Sequence, residues 1–327
     1  MTTDNPTAVP PRSGTGKGAS ASKVPPRGGQ ARKGRQSSFR ARRRRRNQLV
    51  AGGVIGLVVI VVAVVVAVGL SSSSSSGASA AAPVPAATLT SVESVTPDVM
   101  AAAQAGSATK APNLPIAVAV GSQQAPAALT SGGKPEVLYM GAEYCPYCAG
   151  ERWAMVLAMS KFGTWSNLHS IASAADDNPA AIPTFTFLGS SYTSDLLSFT
   201  SVEMQTVDRK PLQNPTAAQQ ALLSKFDNAP YVPSGAAGGI PFVDLANSSV
   251  QDGLGFNSTA ETALQHQSFS SVASQVANQS SQVGGSIAAE AGVLVSNLCK
   301  LTGGKDAVGG AACKAFPTPL TQPPAGA

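Results

Sequence analysis

The run Val137-Leu138-Tyr139-Met140-Gly141-Ala142-Glu143-Tyr144-Cys145-Pro146-Tyr147-Cys148-Ala149-Gly150 leaves this chain few ways to fold. An apolar segment of strand length runs straight into a Cys-Pro-Tyr-Cys tetrapeptide, and residues 149–160 follow with helical spacing and no proline. Two cysteines three apart at a helix start suit disulfide exchange, which needs an exposed thiolate and a second thiol near enough to resolve the mixed disulfide. Cys145 is expected at the helix N-terminus, where free N–H groups and the positive dipole end favour the thiolate. Cys148, one turn further in, is expected to be the more buried, resolving thiol. Pro146 fits the first helical position because its missing N–H is not needed there.

The charge of the chain is unevenly placed. Residues 1–46 carry thirteen basic residues against the single acid Asp4, a net +12 in a chain whose total is +6, so the remainder is −6. The basic character belongs to the tail and gives no ground for nucleic-acid binding by the folded part. The tail is poor in apolar residues and reads as disordered. It ends in five arginines, Arg42 to Arg46, directly before residues 49–70, twenty-two residues without a charge. A run of that length spans a bilayer as a helix, and the arginines then mark its cytoplasmic side. A small-residue triplet, Ala78-Ser79-Ala80, resembles a signal-peptidase site, but basic region and apolar run are both too long for a cleaved signal. The expectation is therefore a single-pass anchor in the cell membrane, N-terminus cytoplasmic, with everything after it extracytoplasmic.

A serine run at residues 71–76 and an Ala/Pro mixture follow as linker. Residues 89–100 are too irregular to decide between a short helix and more linker. Beyond the cysteines, Trp153, Val156 and Leu157 share a helical face and should pack on a sheet. Arg152 reads as a solvated helix charge, and Asp176-Asp177-Asn178-Pro179 as a turn. Strand candidates lie at residues 168–172 and, more clearly, 184–188; a helix carries Ala218, Leu222 and Phe226 at spacing four. Then comes Gly239-Ile240-Pro241-Phe242-Val243-Asp244-Leu245 as a strand, with residues 249–256 as its hairpin partner, and a helix on Phe269, Val272 and Val276.

That order of elements resembles the thioredoxin fold. Ala142-Glu143-Tyr144-Cys145 is similar to the thioredoxin approach to its first cysteine, and Pro146-Tyr147 to the dipeptide of glutaredoxins. Ile240-Pro241 resembles the family's cis-proline; Ile182-Pro183 competes, but only Pro241 has the hairpin and last helix behind it. The resemblance implies a central mixed sheet, Cys145 attacking, Cys148 resolving and Pro241 shaping the groove, with Ile240, Tyr147 and Pro146 in contact with substrate. Residues 90–315 also resemble a family of membrane-anchored bacterial and archaeal proteins catalogued as a domain of unknown function. The shared cues are residues 141–153, Pro183-Thr184-Phe185-Thr186-Phe187, residues 239–244 and Leu298-Cys299-Lys300-Leu301-Thr302-Gly303-Gly304.

One departure matters. Thioredoxins place a buried acid six residues before the first cysteine; here Tyr139 stands there, which weighs against a thioredoxin-style reductase and towards an oxidase or isomerase. Glu143 is a substitute proton carrier in position, though a solvated charge is the plainer reading. At the C-terminus Ile287, Ala291, Leu294 and Leu298 form a further amphipathic helix. Cys299 and Cys313 are expected to pair as a structural disulfide, closing a loop of about 15 residues worth ~3 kcal/mol. Their spacing and the isolated His169 and His266 do not suit a zinc site, so no metal and no cofactor is expected.

The expected organisation is a disordered basic tail over 1–47, a transmembrane helix over 48–70, a linker over 71–112, an α/β thioredoxin-like domain over 113–283, a helical extension with the disulfide over 284–316 and a disordered tail over 317–327. The expected activity is thiol–disulfide exchange on exported proteins, with a membrane redox partner and no nucleic acid. The alternative is a non-enzymatic thioredoxin-like adaptor whose Cys-Pro-Tyr-Cys bridge is structural and which binds a cell-envelope partner.

Overall fold

The computed structural model describes residues 81–107, 113–120, 123–232, 237–279 and 281–325. In chain order they form β1 (Ala82–Pro83), α1 (Ala86–Glu93), α2 (Pro97–Ser107), β2 (Ile116–Ala117), β3 (Thr130–Ser131), β4 (Lys134–Gly141) and α3 (Pro146–Met159). There follow β5 (Thr164–Ser166), β6 (His169–Ala172), β7 (Pro183–Thr186), β8 (Ser191–Thr193), β9 (Ser198–Glu203) and α4 (Ala217–Phe226). The chain closes with β10 (Phe242–Leu245), β11 (Ser249–Asp252), α5 (Ser258–Ala263), α6 (Phe269–Asn278), α7 (Gln282–Leu301) and α8 (Ala311–Ala315).

The fold is α/β with mixed sheets. β4 lies inside the largest: β9 pairs with it in parallel, Glu136 opposite Ser198, and β10 pairs with it antiparallel, Met140 opposite Phe242. The sheet continues from β10 through β11 to β2, all antiparallel. A strand covered on both faces reads as a continuous apolar run, which is what residues 137–140 are. The period of two then divides its side chains. Val137 and Tyr139 enter a large core with Val243, Leu245 and Trp153, while Leu138 and Met140 enter a smaller one with Phe242, Val250 and Phe226.

α3 is buried from Cys148 to Met159, because it lies between the sheet and other elements rather than on the surface. β7 and α7 both pack on it. Trp153, fully buried, meets Phe185 and Phe269 at centroid distances of 4.6 and 4.8 Å, and its Nε1–H donates to the Pro183 carbonyl at 2.8 Å. Burying each such large side chain contributes about 1.5–3 kcal/mol.

Several expectations change here. The single-pass anchor is corrected: among the described residues no helix is long and apolar enough to cross a membrane. The segment 48–70 on which the membrane and extracytoplasmic placement rested lies outside the described residues, as do the basic tail over 1–47 and residues 71–80 and 108–112 of the linker. Residues 86–107, taken with the linker, hold α1 and α2, whose neighbourhood contributes Val92, Val95 and Met100 to the large core. Of the strand expected over residues 184–188, residues 184–186 lie in β7, which pairs with β6 in a separate three-stranded sheet with β1. The parallel partner of β4 is instead β9, which the sequence reading passed over. α7 packs on α2 and α3 and contacts β10, so the helix read as an extension is part of the main core. Residues 318–325 run back along the domain, the Gln322 carbonyl accepting from Ala117 N–H at 2.9 Å.

Between α3 and α7 lies a pair of buried acids. Gln251 Nε2 donates to Glu151 Oε2 and to Glu290 Oε1, both at 3.0 Å. Burial raises the pKa of both carboxyls, and the charge of Glu290 raises Glu151 further. Burial also pushes Asp244, Asp252 and Glu261 up to about 7. All these groups bind more protons folded than unfolded between the ordinary carboxyl range and neutrality. Stability should therefore fall as pH rises from about 4.5 to 8. Urea unfolding across that range is expected to show the fall, and Glu290→Gln to flatten part of it; a midpoint that rises with pH would contradict the reading.

Candidate dithiol site

The local sequence positions the two sulfurs. β4 ends at Gly141, and Ala142-Glu143-Tyr144 carries the chain to Cys145, the N-cap of α3, with extended backbone (φ −72°, ψ 124°) and Pro146 at the first helical position. The Cys148 N–H donates to Cys145 Sγ at 3.2 Å, so the sulfur takes the place of a capping oxygen. Across from it the Ile240 carbonyl lies 3.6 Å from the same Sγ, just before the cis bond Ile240–Pro241. Ile182–Pro183 is not among the cis bonds.

The two thiols are unpaired and unlike. The Cys148 thiol hydrogen bond lowers the pKa of Cys145, and the Cys148 backbone N–H and the positive Arg152 add to this against the opposing effect of burial. Burial raises Cys148 well above the ordinary thiol value, and its thiol bond to Cys145 raises it further. The first sulfur is thus the more readily ionised of the two. One expectation fails: Cys145 is only 3 % exposed rather than open to solvent, whereas neighbouring Tyr147 is 45 % exposed.

Beneath the sulfurs is a polar cluster that the sequence reading misjudged. Arg152 is not a solvated charge but fully buried, its Nε and Nη2 donating to Glu203 Oε1 and Oε2 at 2.9 and 2.7 Å, with Nη2 also reaching the Ala142 carbonyl at 2.8 Å. Its guanidinium sits 5.7 Å from the centroid of the Tyr139 ring. Glu143 is 4 % exposed, accepts from Thr186 Oγ1 at 2.9 Å, and has its pKa raised by burial. It too is no surface charge. Tyr139 occupies the place where an acid was missed, fully buried, its hydroxyl without a hydrogen-bond partner among the described residues. A Cβ on Gly141 would stand 2.2 Å from Tyr139 Oη and 3.0 Å from Cys148 Sγ, so glycine is required for the hydroxyl and the thiol to approach this point.

Glu203 was missed altogether. Its available signal was position: it ends β9, and it can meet Arg152 only because β9 lies beside β4. Arg152 stands seven residues beyond Cys145, and its place inside the buried stretch of α3 decides the rest.

The remaining expected residues fall in two places. Tyr147 and Ile240 border a groove of about 550 Å³, Pro146 is buried, and Pro241 precedes β10. Cys299 and Cys313 form a disulfide (S–S 2.04 Å) between α7 and α8, as expected.

A family model described as a domain of unknown function, DUF929, matches residues 122–237, a span that holds both free cysteines, Arg152 and Glu203 and stops short of Ile240–Pro241. No curated protein and no solved structure matches the chain.

Proposed function

We propose that this chain is a thiol–disulfide oxidoreductase of thioredoxin-like design, working through Cys145 and Cys148. The observation that carries the reading is the placement of two unpaired thiols at one helix N-terminus, Cys145 as the N-cap that accepts the Cys148 N–H; the lowering of the first thiol and the raising of the second agree with it. The strand order β9-β4-β10-β11, with β9 parallel and β10 antiparallel to β4, supports the thioredoxin-like part, as does the Ile240 carbonyl facing the sulfur.

In the reducing direction the Cys145 thiolate attacks one sulfur of a client disulfide, forming a mixed disulfide and expelling a client thiolate, which takes a proton. Cys148 then loses its proton and attacks Cys145 Sγ, closing the 145–148 disulfide and releasing the second client thiol. Two electrons pass to the client. Run backwards, the same steps oxidise a client dithiol. Tyr139 Oη and Cys148 Sγ both approach Gly141, and the Arg152 charge acts on the Cys148 thiol.

The burial of Cys145 favours a second reading, an adaptor in which the same pair forms an inert bridge. Titration of the pair against glutathione separates the two. A potential between about −120 and −230 mV, with exchange activity, is expected of a catalyst. A potential below about −300 mV with no exchange would establish the inert bridge instead.

A further inference from the structure

The groove beside the dithiol holds acidic side chains and no basic ones among the described residues, and its acids ionise above about pH 7. It opens between Tyr147 and Ile240, whose carbonyl faces Cys145 Sγ, and its apolar side is made by Leu254 and Phe256. Two acids line it, Asp252 and Glu261, and no lysine or arginine does so among the described residues. Glu261 is 4 % exposed, and its Oε1 has no hydrogen-bond partner among the described residues; the same holds for Asp252 Oδ1. Leaving a buried carboxylate oxygen without a donor costs about 1–3 kcal/mol or more, so a ligand donor that these side chains turn to meet would be stabilising.

We propose that Asp252 and Glu261 select client polypeptides that carry a lysine or arginine within a few residues of the reacting cysteine. An extended client segment advances about 3.3 Å per residue, so a cation two or three positions from a cysteine at Cys145 lies well within a groove of this size. The aliphatic stem of a lysine or arginine would rest on Leu254 and Phe256 while its charged end meets the two carboxyls. This rests on the exchange reading, since it places the client cysteine at Cys145.

The test uses the full-length chain at about pH 8, where both acids are ionised, and three glutathionylated cysteine peptides, identical except for Lys, Gln or Glu two residues after the cysteine. The Lys peptide should exchange at least about tenfold faster than the Glu peptide, the effect of one charge-assisted contact. The ratio should collapse towards one in Asp252→Asn/Glu261→Gln. The comparison of peptides in the unaltered chain needs no variant to fold. Exchange with equal rates, or a ratio that survives the double substitution, overturns the selectivity and leaves the exchange reading standing. Absence of exchange with all three overturns the exchange reading. Anisotropy of the same peptides with serine for cysteine then decides the groove. A preference for Lys that the double substitution removes supports a cation-selecting groove; no preference overturns it.

Discussion

Cys145→Ser is expected to reduce disulfide exchange to the uncatalysed background. A serine hydroxyl keeps the capping bond from Cys148 N–H and the fit beside Ile240, so the protein should stay folded with an unchanged unfolding midpoint. What it loses is the only sulfur at this site whose thiol is lowered. Cys148→Ser should behave differently. The first attack remains possible but resolution does not, so a mixed disulfide between Cys145 and the client should accumulate and be visible by intact mass. If both substitutions leave exchange untouched, or if only Cys148→Ser abolishes adduct formation, the assignment of roles is wrong.

Glu203→Ala is expected to destabilise the fold by about 3–5 kcal/mol, because it strands the guanidinium of Arg152 in a site with no access to water. Replacing both partners, as in Arg152→Met/Glu203→Leu, should cost much less, since no uncompensated charge stays behind. Urea denaturation of the singles and the double makes the cycle. Where Glu203→Gln remains folded, the positive charge of Arg152 is no longer offset, and the Cys145 thiol should ionise at still lower pH. The rate of alkylation by iodoacetamide against pH reads that shift. An unchanged profile would show that Arg152 serves packing alone.

How much was legible beforehand can be judged element by element. The strand into Cys145, the helix after it and the hairpin of β10 and β11 were readable because each is specified locally: an apolar run, a capping cysteine followed by proline, and a period-two pattern around a turn. The pairing of Cys299 with Cys313 was readable because four cysteines in two groups leave few partners. The charges of Arg152 and Glu143 were misread because a helix or turn does not say what covers it. Arginine is usually exposed, and only the presence of Glu203 on a neighbouring strand makes its burial tolerable.

By itself, then, the sequence determined the local redox unit: which residues start the helix, which two thiols are three apart, and which strand leads to them. Tertiary structure alone decided that β9 rather than β7 pairs with β4, that α7 joins the core, that Cys145 is covered, and that Tyr139, Arg152 and Glu203 meet beneath the thiols. The reason is that propensity and capping act over a few neighbouring residues, whereas strand partners and buried charge pairs depend on groups tens of residues apart. Such groups meet only when the chain closes on itself.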